Sequence, residues 1–128
     1  MKTTKFIGDI GESVAAKFLE GKKYKILERN LHEGRCELDI IAANNEFLIF
    51  VEVKTRSTDD PNTLGFMHRA ADAVNKDKQK RTLAAARRYL SAHPTDKQPR
   101  IDVIEVYLKK GNEKKVLEIN HIENAFGQ

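Results

Sequence analysis

Four ionisable residues interrupt or adjoin two core-like apolar runs: Glu37 just before Leu38–Ala43 and Asp39 within it, Glu52 within Phe47–Val53, and Lys54 just beyond it. Charge inside an apolar strand is costly unless it is paired, hydrogen-bonded or bound to a metal, so strands that retain it have a use for it. Two carboxylates beside an ammonium suit a hard divalent cation. Mg²⁺ or Mn²⁺ takes one or two protein carboxylates, with waters and phosphate oxygens completing the shell. Such a cation polarises a phosphoryl oxygen and acidifies a bound water. Lys54 would position that water or stabilise charge developing on the phosphorus centre. The plainer alternative is a buried Asp/Glu–Lys ion pair.

The two runs flank Asn44-Asn45 and read as a β-hairpin. Side chains alternate faces along a strand, which predicts that Glu37, Asp39 and Ile41 share one face, as do Phe50, Glu52 and Lys54. An Asn44-Asn45 loop pairs Ala43 with Glu46 and sets Glu37 opposite Glu52. A register two residues away sets Asp39 opposite Glu52. Any loop of even length brings Asp39, Glu52 and Lys54 to one face, whereas an odd loop without a bulge separates them.

Asp39, followed after a short apolar hairpin by Glu52-Val53-Lys54, resembles the acidic residue–(D/E)xK signature of restriction-endonuclease-like nucleases. The chain as a whole resembles the small bacterial YraN-type family of predicted endonucleases, related to archaeal Holliday-junction resolvases. The matching stretches begin with Gly8-x-x-Gly11-Glu12, Ala15 and Leu19, then Glu37–Ile41 and Phe50–Arg56. They continue with Lys76, Tyr89-Leu90, Arg100–Ile104 and His121–Phe126. Cys36 stands where the family usually has glycine, and Ile101 where it often has phenylalanine. The resemblance implies a restriction-endonuclease-like fold and a metal-dependent nuclease acting on DNA, with branched recombination or repair intermediates as substrates. It also implies that Glu12, from the first helix, joins Asp39 and Glu52 at the metal. The competing reading of Glu12 is the preference of carboxylates for the start of a helix.

The 128 residues fit one domain, 1–128, with a core of its own. The net charge of +4 comes from 23 Lys and Arg against 19 Asp and Glu, which mildly favours a polyanionic partner. The single cysteine, Cys36, excludes an internal disulfide and a cysteine-rich zinc site and fits a reducing cytoplasm. The beginning of the chain lacks the apolar stretch of a secretory signal, and no segment approaches the about 20 apolar residues of a membrane span. A soluble, cytoplasmic protein is the expectation.

Helical spacing of Val14, Ala15, Phe18 and Leu19 predicts a helix over 7–21, stopped at Gly21. Tyr24–Leu31 reads as a strand, with Arg29 a candidate phosphate contact. Ser57–Thr63 is a polar loop, and Leu64–His93 is helical with a break near Val74-Asn75 and a stop at Pro94. Between Lys76 and Arg88 that helix carries six basic residues opposed only by Asp77. A solvated face usually mixes signs, so this is the best phosphate-binding patch in the chain, with Lys76 and Lys80 one turn apart. Arg56, Lys76, Lys80 and Arg81 are the candidate nucleic-acid contacts.

Arg100–Leu108 alternates as a strand, Lys114–Ile119 suggests another, and Asn120–Phe126 reads as a tail packing Ile122 and Phe126 on the body. Asp102 is either a buried structural acid or a carboxylate supporting the site from behind. The order α-β-β-β-α-β, plus a terminal hairpin strand, predicts an α/β fold with a mixed central sheet flanked by helices. The expected function is a metal-dependent nuclease using Asp39, Glu52, Lys54 and Glu12. The rivals are a non-catalytic nucleic-acid-binding module of the same fold and an accessory protein for a partner nuclease. Cleavage of two strands would suit a homodimer.

Overall fold

The structure, a computed structural model, describes residues 3–59 and 76–126. Helix α1 spans Thr4–Gly21, opening three residues before the expected start because the Thr3 side chain caps it by accepting from the Phe6 N–H at 3.0 Å. At its other end the Lys23 and Tyr24 N–H groups donate to the Glu20 and Leu19 carbonyls, with Lys23 at φ +74°. That is a Schellman stop, and the left-handed position falls on Lys23 rather than on Gly21.

The strands are β1 (Lys25–Glu33), β2 (Cys36–Ala43), β3 (Phe47–Thr58), β4 (Gln98–Lys109) and β5 (Asn112–Phe126), with α2 (Lys76–Ala92) between β3 and β4. They form one sheet in the order β1-β2-β3-β4-β5. Every neighbouring pair is antiparallel except β3 and β4, which are parallel and have α2 in the connection between them. This is the mixed α/β, restriction-endonuclease-like architecture expected from sequence. The expected break near Val74-Asn75 and most of the Ser57–Thr63 loop lie outside the described residues. Ser57 and Thr58 themselves end β3.

Two registers differ from expectation. In the β2–β3 hairpin Ala43 pairs with Leu48 and Ile40 with Val51. The Asn44 N–H donates to the Phe47 carbonyl, while its side-chain oxygen accepts from the Glu46 and Phe47 N–H groups. Asn44 therefore belongs to the strand end, and the turn is carried by Asn45-Glu46. The loop is still even, so the faces are preserved. Carried one step beyond Ile40–Val51, this register sets Asp39 opposite Glu52. The tail is also different: β5 continues to Phe126, with Val103 opposite Ile122 and Ile101 opposite Phe126.

The helices cover opposite faces. On one, Ala15 and Leu19 of α1 pack with Ile40, Ala42, Ile49, Val51, Ile104 and Val106. On the other, Ala85, Ala86 and Tyr89 of α2 pack with Leu38, Ile41, Ala43, Leu48, Phe50 and Ile101. Leu38 and Ile41 share the α2 layer although they are three residues apart. Strict alternation is therefore broken between them, and Glu37, Asp39 and Ile41 do not share one face. Asn30, at φ +54°, lies opposite this break, between the pairs Arg29–Ile40 and Leu31–Leu38, while the β1–β2 register itself shifts between Ile26 and Glu28. Among the described residues no helix is long and apolar enough to cross a membrane.

Candidate active site

Gly11 sets the distance between α1 and β3. A Cβ at that position would lie 1.9 Å from Thr55 Oγ1, so only glycine lets the helix backbone come this close to the strand. The same close approach buries the neighbouring Glu12, which is more than two turns into α1 and beyond the reach of an N-terminal dipole preference. Glu12 Oε1 accepts from Arg29 Nε at 3.1 Å and Asn30 Nδ2 at 2.9 Å. Consecutive residues of β1 thus reach one carboxylate, as the irregular backbone at Asn30 permits. Arg29, expected from sequence to meet phosphate, is engaged with Glu12 and with Ser13.

The β2–β3 pairs end at Ile40–Val51, and beyond them a side chain takes over: Asp39 Oδ2 accepts the Val53 N–H at 2.9 Å. Glu52, buried, precedes that amide. Its Oε1 lies 2.6 Å from Lys78 Nζ and 3.6 Å from Lys54 Nζ. These groups line a cleft of about 890 Å³ whose wall includes Glu12, Asn30, Glu37, Asp39, Glu52, Lys54, Arg56 and Lys78.

The electrostatics are those of crowded acids. The Asp39 carboxyl is raised to about 7, first by burial and then by the charge of Glu52, against the opposing Val53 N–H and Lys78. Burial works against the Lys78 ammonium, but its hydrogen bond to Glu52 and the charges of Glu52 and Asp39 outweigh it and raise its pKa.

Glu12, Asp39, Glu52, Lys54 and Arg56 all meet at this cleft. Lys76, Lys80 and Arg81 are exposed on α2 and are not part of the wall. Lys78, which no sequence argument singled out, is the α2 residue that reaches in. Its signal was present in the spacing, since residues two positions from Lys76 and Lys80 point to a different side of a helix. Asn30 gave no comparable signal.

Asp102 is fully buried and far from isolated. Arg100 grips it with Nε at 2.8 Å and Nη2 at 2.9 Å, His121 Nε2 lies 2.7 Å away, and the Asn124 N–H donates at 3.0 Å. Burial alone would raise its pKa, but these bonds hold it below the usual carboxylate range. Lys22 Nζ sits 2.8 Å from His121 Nδ1, which ties the end of α1 to β4 and β5. This is a structural role.

For a divalent cation, half-buried Asp39 and buried Glu52 offer hard oxygen donors side by side, and desolvation together with the charge of Glu52 raises the Asp39 carboxyl. The pair fits such an ion. Among the described residues no three His, Cys, Asp or Glu side chains gather as a group able to hold a metal. A cation would thus complete its shell with water and substrate oxygens, and would displace Lys78 from Glu52.

The model of the uncharacterised protein family UPF0102 matches residues 11–106, which contain Glu12, Asp39, Glu52, Lys54 and Lys78. The UPF0102 protein TTE1452 of Caldanaerobacter subterraneus subsp. tengcongensis is 42% identical over 124 residues, covering 95% of each chain. The UPF0102 protein BF0634 of Bacteroides fragilis is 42% identical over 120 residues, 94% of this chain and 91% of its own. The UPF0102 protein Cphamn1_0017 of Chlorobium phaeobacteroides is 39% identical over 123 residues, 94% of this chain and 93% of its own. These matches cover nearly all of the five-stranded sheet and both helices, and with them the cleft. The chain belongs to the uncharacterised protein family UPF0102, the YraN-type family that its motifs resemble.

Proposed function

We propose that the protein is a metal-dependent nuclease that hydrolyses phosphodiester bonds, in DNA. The observation that carries this reading is the pairing of half-buried Asp39 with buried Glu52 on adjacent strands, with Asp39 raised to about 7 and Lys54 3.6 Å from Glu52. Mg²⁺ or Mn²⁺ held by Asp39 and Glu52 supplies Lewis-acid stabilisation of charge on the phosphate. Lys54 orients the attacking water and its ammonium opposes the negative charge that develops during displacement. Glu12, fixed by Arg29 and Asn30, assists from the cleft wall. Lys78, once released from Glu52, and Arg56 hold phosphate oxygens, while Lys76, Lys80 and Arg81 extend the basic surface along α2.

The second reading, a non-catalytic nucleic-acid-binding module, is favoured by the ion pairing itself. Lys78 on Glu52 and Arg29 on Glu12 neutralise acids without a metal. Cleavage decides between the two. Duplex, single-stranded, flap and four-way-junction DNA and an RNA duplex are incubated with Mg²⁺ or Mn²⁺, with Glu52→Ala as control. Metal-dependent products from the wild type and none from Glu52→Ala support the enzyme. Salt-sensitive binding without products selects the module.

A further inference from the structure

At the other end of the sheet, about 13 Å along the strands from Asp39 and Glu52, lies a separate cavity of about 440 Å³. Its apolar wall is Leu27, Ala43, Leu48 and Tyr89. Leu27 is 39% exposed, one of three large apolar side chains left open to solvent among the described residues, and here it faces a concave surface rather than bulk water. The His93 ring stacks on Tyr89 with centroids 4.1 Å apart and planes 19° from parallel. His93 is exposed at the cavity, with one ring face on Tyr89 and its Nδ1 3.1 Å from the Tyr89 carbonyl oxygen.

The charged residues of the wall are all cations: Lys23, Lys25 and Lys97. Lys97 Nζ donates to the Asn44 carbonyl at 2.7 Å, which fixes it against the hairpin and leaves two further N–H donors. Asn45 and Thr95 add polar groups at the rim. An apolar slot with an aromatic face accepts a planar ring, and three ammonium groups with no opposing carboxylate in the wall accept an anion attached to it. We propose that this cavity binds a nucleotide, its base against His93 and Leu27 and its phosphate among Lys23, Lys25 and Lys97. The same chemistry is offered by a free nucleoside monophosphate and by the unpaired, phosphorylated end of a strand. The assignment does not rest on the hydrolytic reading, because no residue of this wall lines the Asp39–Glu52 cleft.

The test is titration of the whole protein, without divalent metal, with AMP, adenosine and inorganic phosphate, followed by calorimetry and by amide shifts at residues 93–97. A further arm compares a duplex bearing a 5′-phosphorylated single-nucleotide overhang with a blunt, unphosphorylated one. Base and phosphate acting together predict that AMP binds about tenfold or more tightly than either fragment. His93→Ala, and separately Lys23→Asn with Lys25→Gln, weaken it about fivefold or more at unchanged melting temperature. If only the overhanging duplex gains affinity and loses it in the same variants, the ligand is a strand end. The proposal is overturned if AMP binds no better than phosphate and the duplexes are indistinguishable, or if both variants bind as the wild type does.

Discussion

Lys78 Nζ lies 2.6 Å from Glu52 Oε1, so the start of α2 is tied directly to the end of the central strand pair. This ammonium is paired with one of the two carboxylates that would hold a cation. Lys78 is 36% exposed and Glu52 only 7%, so the pair is neither a weak surface contact nor a fully buried bridge. Lys78→Met leaves Glu52 with Lys54 alone, and the expected cost in stability is about 1–2 kcal/mol. The same substitution removes the competitor for Glu52, so Mn²⁺ should raise the melting temperature further in Lys78→Met than in the wild type. Melting curves in chelator and across a metal titration, at constant ionic strength, read both effects. An ion pair with no role in metal binding would give the first without the second.

Asp39 makes the metal-free protein pH-sensitive in a defined direction. Its carboxyl is raised from 3.8 to about 7, so between those values the folded state holds a proton that the unfolded chain releases. This contribution to stability is complete below 3.8 and is lost as pH rises through about 7. Asp39→Asn, which retains an oxygen for the Val53 N–H, should therefore gain on the wild type as pH rises, by at most about 4 kcal/mol at pH 8. The gap should close near pH 4. Metal binding runs the other way, since the cation competes with that proton, and affinity should rise up to about tenfold per pH unit before levelling above 7. Denaturant melts in chelator and calorimetric metal titrations from pH 5 to 8 check both slopes.

Gly11→Ala should destabilise the protein although alanine is the better helix former by about 1 kcal/mol. The added methyl would meet Thr55 Oγ1, Cγ2 and Cβ, all within 2.8 Å. A net loss of about 1–3 kcal/mol is expected from this overpacking. Thr55→Ala in the same chain removes two of those three atoms and should restore part of the loss. A double-mutant cycle of melting free energies measures the coupling, and additive effects would remove Gly11 as the spacer between α1 and β3.

Much of this arrangement is legible in the sequence. The apolar runs around Asp39 and Glu52 identify a hairpin with an even loop, its turn one residue later than expected, but with alternation broken in β2 the even loop alone does not account for both acids and Lys54 meeting at one cleft. What period-2 counting misses is the irregularity at Asn30, because a left-handed asparagine inside a strand leaves no mark on hydrophobic pattern. It redirects β1 so that Arg29 and Asn30 both reach Glu12. Lys78 was hidden differently. Within a run of six cations, composition alone does not say which one the helix turns inward. Asn120–Phe126 read as a tail because its polar and apolar residues do not alternate cleanly. Its pairing with β4 is set instead by long-range contacts such as His121 with Asp102.

The exposed cations of α2 should act on binding rather than on chemistry. Replacing Lys76, Lys80 and Arg81 together by Gln removes candidate phosphate contacts without touching the cleft wall. On duplex DNA each lost contact should flatten the slope of log K against log salt by about 0.9. Fluorescence anisotropy from 50 to 200 mM salt measures it, and an unchanged slope would place the nucleic acid elsewhere.

The most direct test of a hydrolytic Asp39–Glu52 site is single-turnover cleavage by the wild type and Lys54→Ala in Mn²⁺, with DNA affinity measured on the same substrate in chelator. Lys54 lies 3.6 Å from Glu52 Oε1 on the wall of a cleft whose other basic groups, Arg56 and Lys78, the substitution leaves in place. Its loss should slow cleavage by about a hundredfold or more while affinity changes only a few-fold. A Lys54→Ala protein that cuts at the wild-type rate, or a wild type that binds DNA and never cuts it in Mn²⁺, would contradict the account.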